Sequence, residues 1–289
     1  MRRLLPLLAL LLLAACGPRS RYNATLMQAE GIVDSLPDST YRLVMQVDRS
    51  TFDRGDSALW QLLYVQSKWK TDRDIKADTT WQLPISFFTE QEDKERLAKS
   101  YYYKGLVEEL NGRILNSMRN FLPALTLIEE VGDSAYIERI SGNIGVIYYD
   151  NAGFDQAYPF YKRALEIDEA LKDTVGMVVQ IINLDYVFQL AENYAKMLAS
   201  SRRAQFLAEH YSGNGIDFAK LYNEVALSEL LNKQFRNAIN LCIGNIKSNP
   251  DTTSLEYALS NYILAESYLA LGDTSLANAY YEATIKLKY

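Results

Sequence analysis

The feature that most constrains this chain is a small or short residue that returns about every forty positions. Gly105, Gly145, Asp185, Ala226 and Ala265 stand at successive steps of 40, 40, 41 and 39 residues. They are preceded by Lys104, Ile144, Leu184, Val225 and Leu264. A second set follows in phase: Ser117 with Ala124, Ala157 with Ala164, Met197 with Ala204, Ala238 with Asn245, and Ala277 with Thr284. Between the two sets lies a slot holding Ile114, Phe154, Tyr194, Phe235 and Thr274. Paired antiparallel helices need small residues where their backbones come closest and large ones beside that contact. A unit of this kind cannot bury its own apolar face, so it stacks on the next.

The turns support the same period. Between paired helices come Asn111-Gly112, Asn151-Ala152-Gly153, Asn193, Asn232-Lys233 and Gly272-Asp273. Between units come Gly132-Asp133-Ser134, Asp173-Thr174, Gly213-Asn214-Gly215 and Asn249-Pro250-Asp251-Thr252. Gly and Asn tolerate the left-handed conformation that ends a helix, and Asp, Ser or Thr caps the one that follows.

The clearest unit reads Ile144-Gly145, Tyr148, Gly153-Phe154, Ala157, Tyr161, Ala164-Leu165. It resembles the tetratricopeptide repeat. The resemblance implies an all-α chain, a right-handed α-solenoid of helix hairpins, with five repeats over about 98–131, 138–171, 178–211, 219–252 and 258–289. A spacing near 40 in place of the usual 34 implies helices or linkers longer by a turn or more. Residues 24–97 read as an N-terminal helical region of degenerate repeats, with apolar stripes over 24–35, 39–52, 56–70 and 79–89. Pro37 suits a first helical turn and Asp56-Ser57 a cap. Residues 279–289 read as an amphipathic second helix with no capping helix after it.

The first residues carry a different signal. Met1-Arg2-Arg3 precedes an apolar run from Leu4 to Leu13 and then Leu13-Ala14-Ala15-Cys16. This resembles a bacterial lipoprotein signal. The resemblance implies that residues 1–15 are removed between Ala15 and Cys16, that Cys16 is lipidated, and that 16–23 form a tether. Two or more acyl chains make such an attachment stable. Arg19 and Arg21 without a nearby acid, and Gly17 in place of Asp, point to the outer membrane facing the periplasm. With Cys16 acylated, Cys242 is the remaining thiol and no internal disulfide forms. The chain as a whole resembles envelope proteins of Bacteroidetes that pass from a lipobox through Pro37-Asp38-Ser39 to a Tyr101-Tyr102-Tyr103-Lys104-Gly105 repeat start.

Catalytic patterns are missing. The one histidine, His210, cannot build a histidine metal site and reads as a solvated helix end. No nucleophile elbow, Walker loop or dinucleotide fingerprint occurs. Cys242 falls in a large-residue slot of a second helix, where packing outweighs nucleophilic chemistry. Acid pairs such as Glu108-Glu109, Glu129-Glu130 and Asp168-Glu169 diverge by about 100° on a helix and read as solvated faces. Trp60, Trp69 and Trp81 read as core packing, with stacking on sugar rings as the alternative. A net charge of -6 disfavours duplex nucleic acid. The expectation is a non-enzyme with no cofactor and no metal.

What remains is a surface. In the resembled family the first helices line a concave groove. Here that face includes Lys99, Tyr102, Glu109, Arg139, Asn143, Tyr149, Asn183, Tyr186, Lys220, Asn223 and Glu266. Asn143 and Asn183 occupy equivalent positions, and Asn223 follows at the same interval although one place off register. Such a ladder either donates to and accepts from the backbone of an extended peptide or supplies bonds between helices. The expected function is a lipid-anchored scaffold of the cell envelope that holds a protein or peptide partner in this groove. The alternatives are an assembly factor for outer-membrane barrels or secretins and a glycan-binding lipoprotein.

Overall fold

A computed structural model describes residues 22–285. Among these residues every regular element is a helix, fourteen in all. Cys16 and the signal segment, with residues 286–289, lie outside the described residues.

Contacts gather into two compact units, one ending at Gly132 and one beginning at Asp133. Unit 1 contains α1 (Ala24–Ile32), α2 (Pro37–Gln46), α3 (Arg54–Trp69), α4 (Gln82–Glu90), α5 (Lys94–Leu110) and α6 (Ile114–Val131). Each packs on its neighbour, and α3 also touches α1 and α5. Pro37 takes the first helical position of α2 as expected. The start of α3 is a correction. Asp53, not Asp56, is the cap, and its side chain accepts from the Asp56 N–H. Asp56 instead accepts from the Asn23 N–H at 2.6 Å. Trp81 is buried and donates to the Asp78 carbonyl at 2.8 Å. Trp60 stacks on Tyr64 at 5.0 Å, whereas Trp69 is exposed.

Unit 2 contains α7 (Ser134–Asp150), α8 (Phe154–Leu171), α9 (Thr174–Leu190), α10 (Tyr194–Glu209), α11 (Phe218–Leu231), α12 (Phe235–Ser248), α13 (Leu255–Ala270) and α14 (Thr274–Ile285). Consecutive helices pair, and the first helices also pack directly on one another, α7 on α9, α9 on α11 and α11 on α13. Asp133, Asp173, Asp217 and Ser254 cap α7, α9, α11 and α13 through their side-chain oxygens.

The small slots do what close helix packing requires. A Cβ on Gly145 would stand 2.6 Å from the Tyr161 ring of the paired helix. In unit 1, Phe121 presses on Gly105 in the same way. In the third repeat the pair becomes Asp185 with Ser200, whose hydroxyl donates to the Asp185 carboxylate. Further along, Cys242 fills the slot against Ala226, fully buried among Ile239, Ile263 and Leu264. Burial pushes its thiol up to about 12.

Left-handed residues mark the turns with a regularity the residue types conceal. Positive φ occurs at Asp72, Glu92, Gly112, Gly132, Ala152, Lys172 and Glu192, one every 20 residues. From α4 to α9 each helix and its turn is therefore a 20-residue half-unit, and four of these turns are expected at or beside Asn or Gly. Ala152 and Glu192 hold the conformation, although Gly153 and Asn193 beside them are the residue types that favour it. Gly153 and Asn193 instead precede α8 and α10 as their caps.

Candidate functional site

The surface that could hold a ligand in unit 2 is the layer of first helices. The sequence register decides which side chains face it. Tyr102 and Asn223 stand three residues before the small residues Gly105 and Ala226, as do Gly142 and Ile182 in their own repeats. That position points inward. Tyr102 is 4% exposed, and its ring packs 5.8 Å from Phe121. Asn223 is 1% exposed. It donates to the Glu256 carbonyl at 2.8 Å and accepts from Asn245 at 3.0 Å and Ser260 at 2.5 Å. The expectation that Tyr102 lines a groove is therefore corrected, since Tyr102 is core; Asn223 is buried, ties α11 to α12 and α13, and also lines the second of the cavities described below.

Two residues before the small slot, the side chains of the second and third repeats reach the layer's surface, while that of the fourth is buried. Asn143 and Asn183 stand there half-buried, and the fourth repeat puts Glu224 in the equivalent place. The 41-residue step between Asp185 and Ala226 moves the position by one. The row in register is Asn143, Asn183, Glu224. Asn183 donates to Gln180 at 3.3 Å, and Gln180 in turn donates to Glu138 at 2.9 Å. Tyr149 and Tyr186 are half-buried with ring centres 5.9 Å apart. Among the other expected residues, Glu266 accepts from Tyr281 at 2.6 Å, Arg139 lies 5.1 Å over the Tyr136 ring, and Lys99 pairs with Glu95 in unit 1.

Two cavities open along this layer and share Lys220. The first, about 250 Å³, is walled by Val175, Val178, Val179 and Ile182 with Asn183, and is closed by the Gly215-Ile216-Asp217 linker. The glycine-rich linker thus supplies part of a wall. The second, about 290 Å³, is walled by Tyr186, Asn223, Glu224, Leu255, Glu256 and Leu259.

Electrostatically the layer is acidic. Burial raises the Glu224 carboxyl, while the Tyr186 hydroxyl donating at 2.8 Å and the Lys220 charge pull it down. Asp185, wholly buried, is pushed up to about 8 by desolvation, opposed by the Ser200 hydrogen bond and reinforced by Glu224. Desolvation and the nearby charges of Asp150 and Glu224 raise Tyr149. His210 is exposed, bonded at 2.8 Å to the Phe206 carbonyl and stacked 4.2 Å from that ring. Among the described residues no group of three metal-ligating side chains is positioned for an ion, and no helix is long and apolar enough to cross a membrane. The arrangement offers hydrogen-bond acceptors, aromatic faces and apolar walls, which suit binding.

A signal transduction ATPase with a tetratricopeptide-repeat sensor, from Pyrococcus horikoshii, matches 91% of this chain with a TM-score of 0.70 at 14% identity. The fold is that of tetratricopeptide-repeat proteins. This chain spans 41% of that protein's length. The apo form of the quorum sensor NprR from B. thuringiensis also gives 0.70 over 91% of this chain and 75% of its own, at 14% identity. Among curated proteins, the photosystem I assembly protein Ycf3 of Acaryochloris marina is 26% identical over 123 residues, covering 43% of this chain and 70% of that protein. No protein-family profile matches the sequence.

The sequence reading missed Glu224, Val179 and Leu255. The signal for Glu224 was present, because counting back two places from Ala226 reaches it directly.

Proposed function

We propose that this chain is a non-enzymatic, lipid-anchored scaffold that holds an extended segment of a protein partner against the first-helix layer of unit 2. One observation carries the reading: Asn183 and Glu224, successive members of the in-register row, line two cavities that meet at Lys220. Polar groups at regular steps suit a peptide backbone, and the cavities suit its side chains. Anchoring rests on the Leu13-Ala14-Ala15-Cys16 pattern, with the outer membrane facing the periplasm as the proposed site. Metabolic labelling with an alkyne fatty acid tests it: the label appears on the wild type and is lost in Cys16→Ser.

The groove itself is tested by co-purification from membranes with the full chain and with Val179→Arg, which closes the first cavity. The reading expects a protein recovered with the wild type and absent from the variant. Identical protein sets from both would contradict it. A narrower version, a factor that assembles envelope complexes, draws on the partial likeness to an assembly protein. It expects altered outer-membrane protein content in a deletion strain.

A further inference from the structure

The side chains around Glu224 say more about the partner than that it is a peptide. Glu224 is 4% exposed. One of its oxygens accepts from the Tyr186 hydroxyl at 2.8 Å, and the other, Oε2, has no hydrogen-bond partner. A buried carboxylate oxygen left in this state is costly, and a donor arriving with a ligand would remove the cost. The residue also walls the 290 Å³ cavity, so the deficit lies beside space that can be filled.

The charges nearby favour a positive donor. Glu256 lines the same cavity, Asp217 the adjoining one, and Asp185 lies buried behind with its own Oδ2 unpartnered. Lys220 is the sole cation among the residues lining either cavity. It stands at the rim with its ammonium 6.0 Å from the centre of the Tyr186 ring. That same ring faces the cavity and offers a cation a favourable surface, while Leu255 and Leu259 can cover the methylene stem of a long side chain.

We propose that the Glu224 cavity receives an arginine or lysine side chain of the bound segment, and that the neighbouring cavity of Val175, Val179 and Ile182 receives an aliphatic one. Because the two cavities share Lys220, the two side chains come from positions a few residues apart on one strand. This specificity rests on the reading that unit 2 binds a peptide.

The test is a positional-scanning nonapeptide array probed with the full chain, each position fixed in turn as every amino acid, with citrulline added as the neutral counterpart of arginine. The expected result is a preference of about tenfold for arginine or lysine over citrulline at one position, with an aliphatic preference nearby. Glu224→Gln removes the basic preference and keeps the aliphatic one. Glu166→Gln, the same charge change on an exposed outer residue, keeps both. Lys220→Ala, which alters an exposed side chain, strengthens the basic preference several-fold and supplies the readout if Glu224→Gln fails to fold. Binding without a basic preference, or a preference that Glu224→Gln leaves intact, overturns this inference while the peptide reading stands. No binding to any peptide overturns both.

Discussion

In unit 1 a shielded charge is surrounded by partners, and in unit 2 several shielded charges are not. Arg96 lies between Glu30, bound at 2.7 Å through two nitrogens, and Asp93 at 2.6 Å, with the Tyr22 ring 4.7 Å from its guanidinium carbon. That arrangement joins α5 to α1. In unit 2, Asp168, Asp185 and Glu224 are each at least nine-tenths buried, and each keeps one oxygen without a hydrogen bond. Burial without pairing destabilises the charged form, so these groups weaken unit 2 near neutral pH. A fold that needs only rigid stacking gains nothing from them. Their position in the first-helix layer and its flank is the reason to read unit 2 as the binding part and unit 1 as the more firmly braced one.

The largest expected effect breaks the brace. Arg96→Met should lower stability by about 3 kcal/mol, because two mostly covered carboxylates lose their common partner. Hydrogen exchange should show the loss concentrated in α1 and α5. Unchanged exchange there would place the bracing elsewhere.

Per pH unit the next effect is smaller, and it has the opposite sign. Asp185 titrates near 8 when folded, well above the usual value of an exposed carboxyl, which is about 4. The folded chain therefore holds an extra proton between those values. This contribution to stability is complete below about pH 4 and disappears as pH rises through 8, with a limiting slope of about 1.4 kcal/mol per pH unit. Asp168, raised to about 7 by burial and by Glu138 and Asp173, acts in the same direction. Chemical denaturation between pH 5 and 8 should show unit 2 gaining stability as pH falls, and Asp185→Asn should flatten that dependence. A wild-type curve equally flat would remove the contrast between the units.

The smallest effect is in a turn. Glu192 holds φ 52°, in a place where Gly112 and Gly272 serve other repeats. Glu192→Gly should stabilise by about 1 kcal/mol, read as a rise in the denaturation midpoint.

These residues also show what the sequence could and could not convey. Helix pairing was legible because Gly105 and Gly145 leave room for Phe121 and Tyr161, and a glycine facing an aromatic is a strong steric constraint. Capping was legible because Asp and Ser before a helix satisfy its free N–H groups. Facing was less so. A shift of one residue turns a helical side chain by about 100°, so the in-register place falls on Glu224, which shares the cavity wall with the expected Asn223. The turns at Ala152, Lys172, Glu192 and Lys233 were legible from the neighbouring Asn, Gly or Asp, but the left-handed residue itself was not, since the fold imposes that conformation on residues that do not favour it.

Site-specific photocrosslinking in living cells puts the central claim to the most direct test. A benzophenone amino acid placed at Val179, 47% exposed on α9 beside the first cavity, should capture a partner polypeptide, while the same group at Phe206, 61% exposed on α10, should capture none. Adducts from position 206 with none from position 179 would contradict the assignment of the first-helix layer as the binding face.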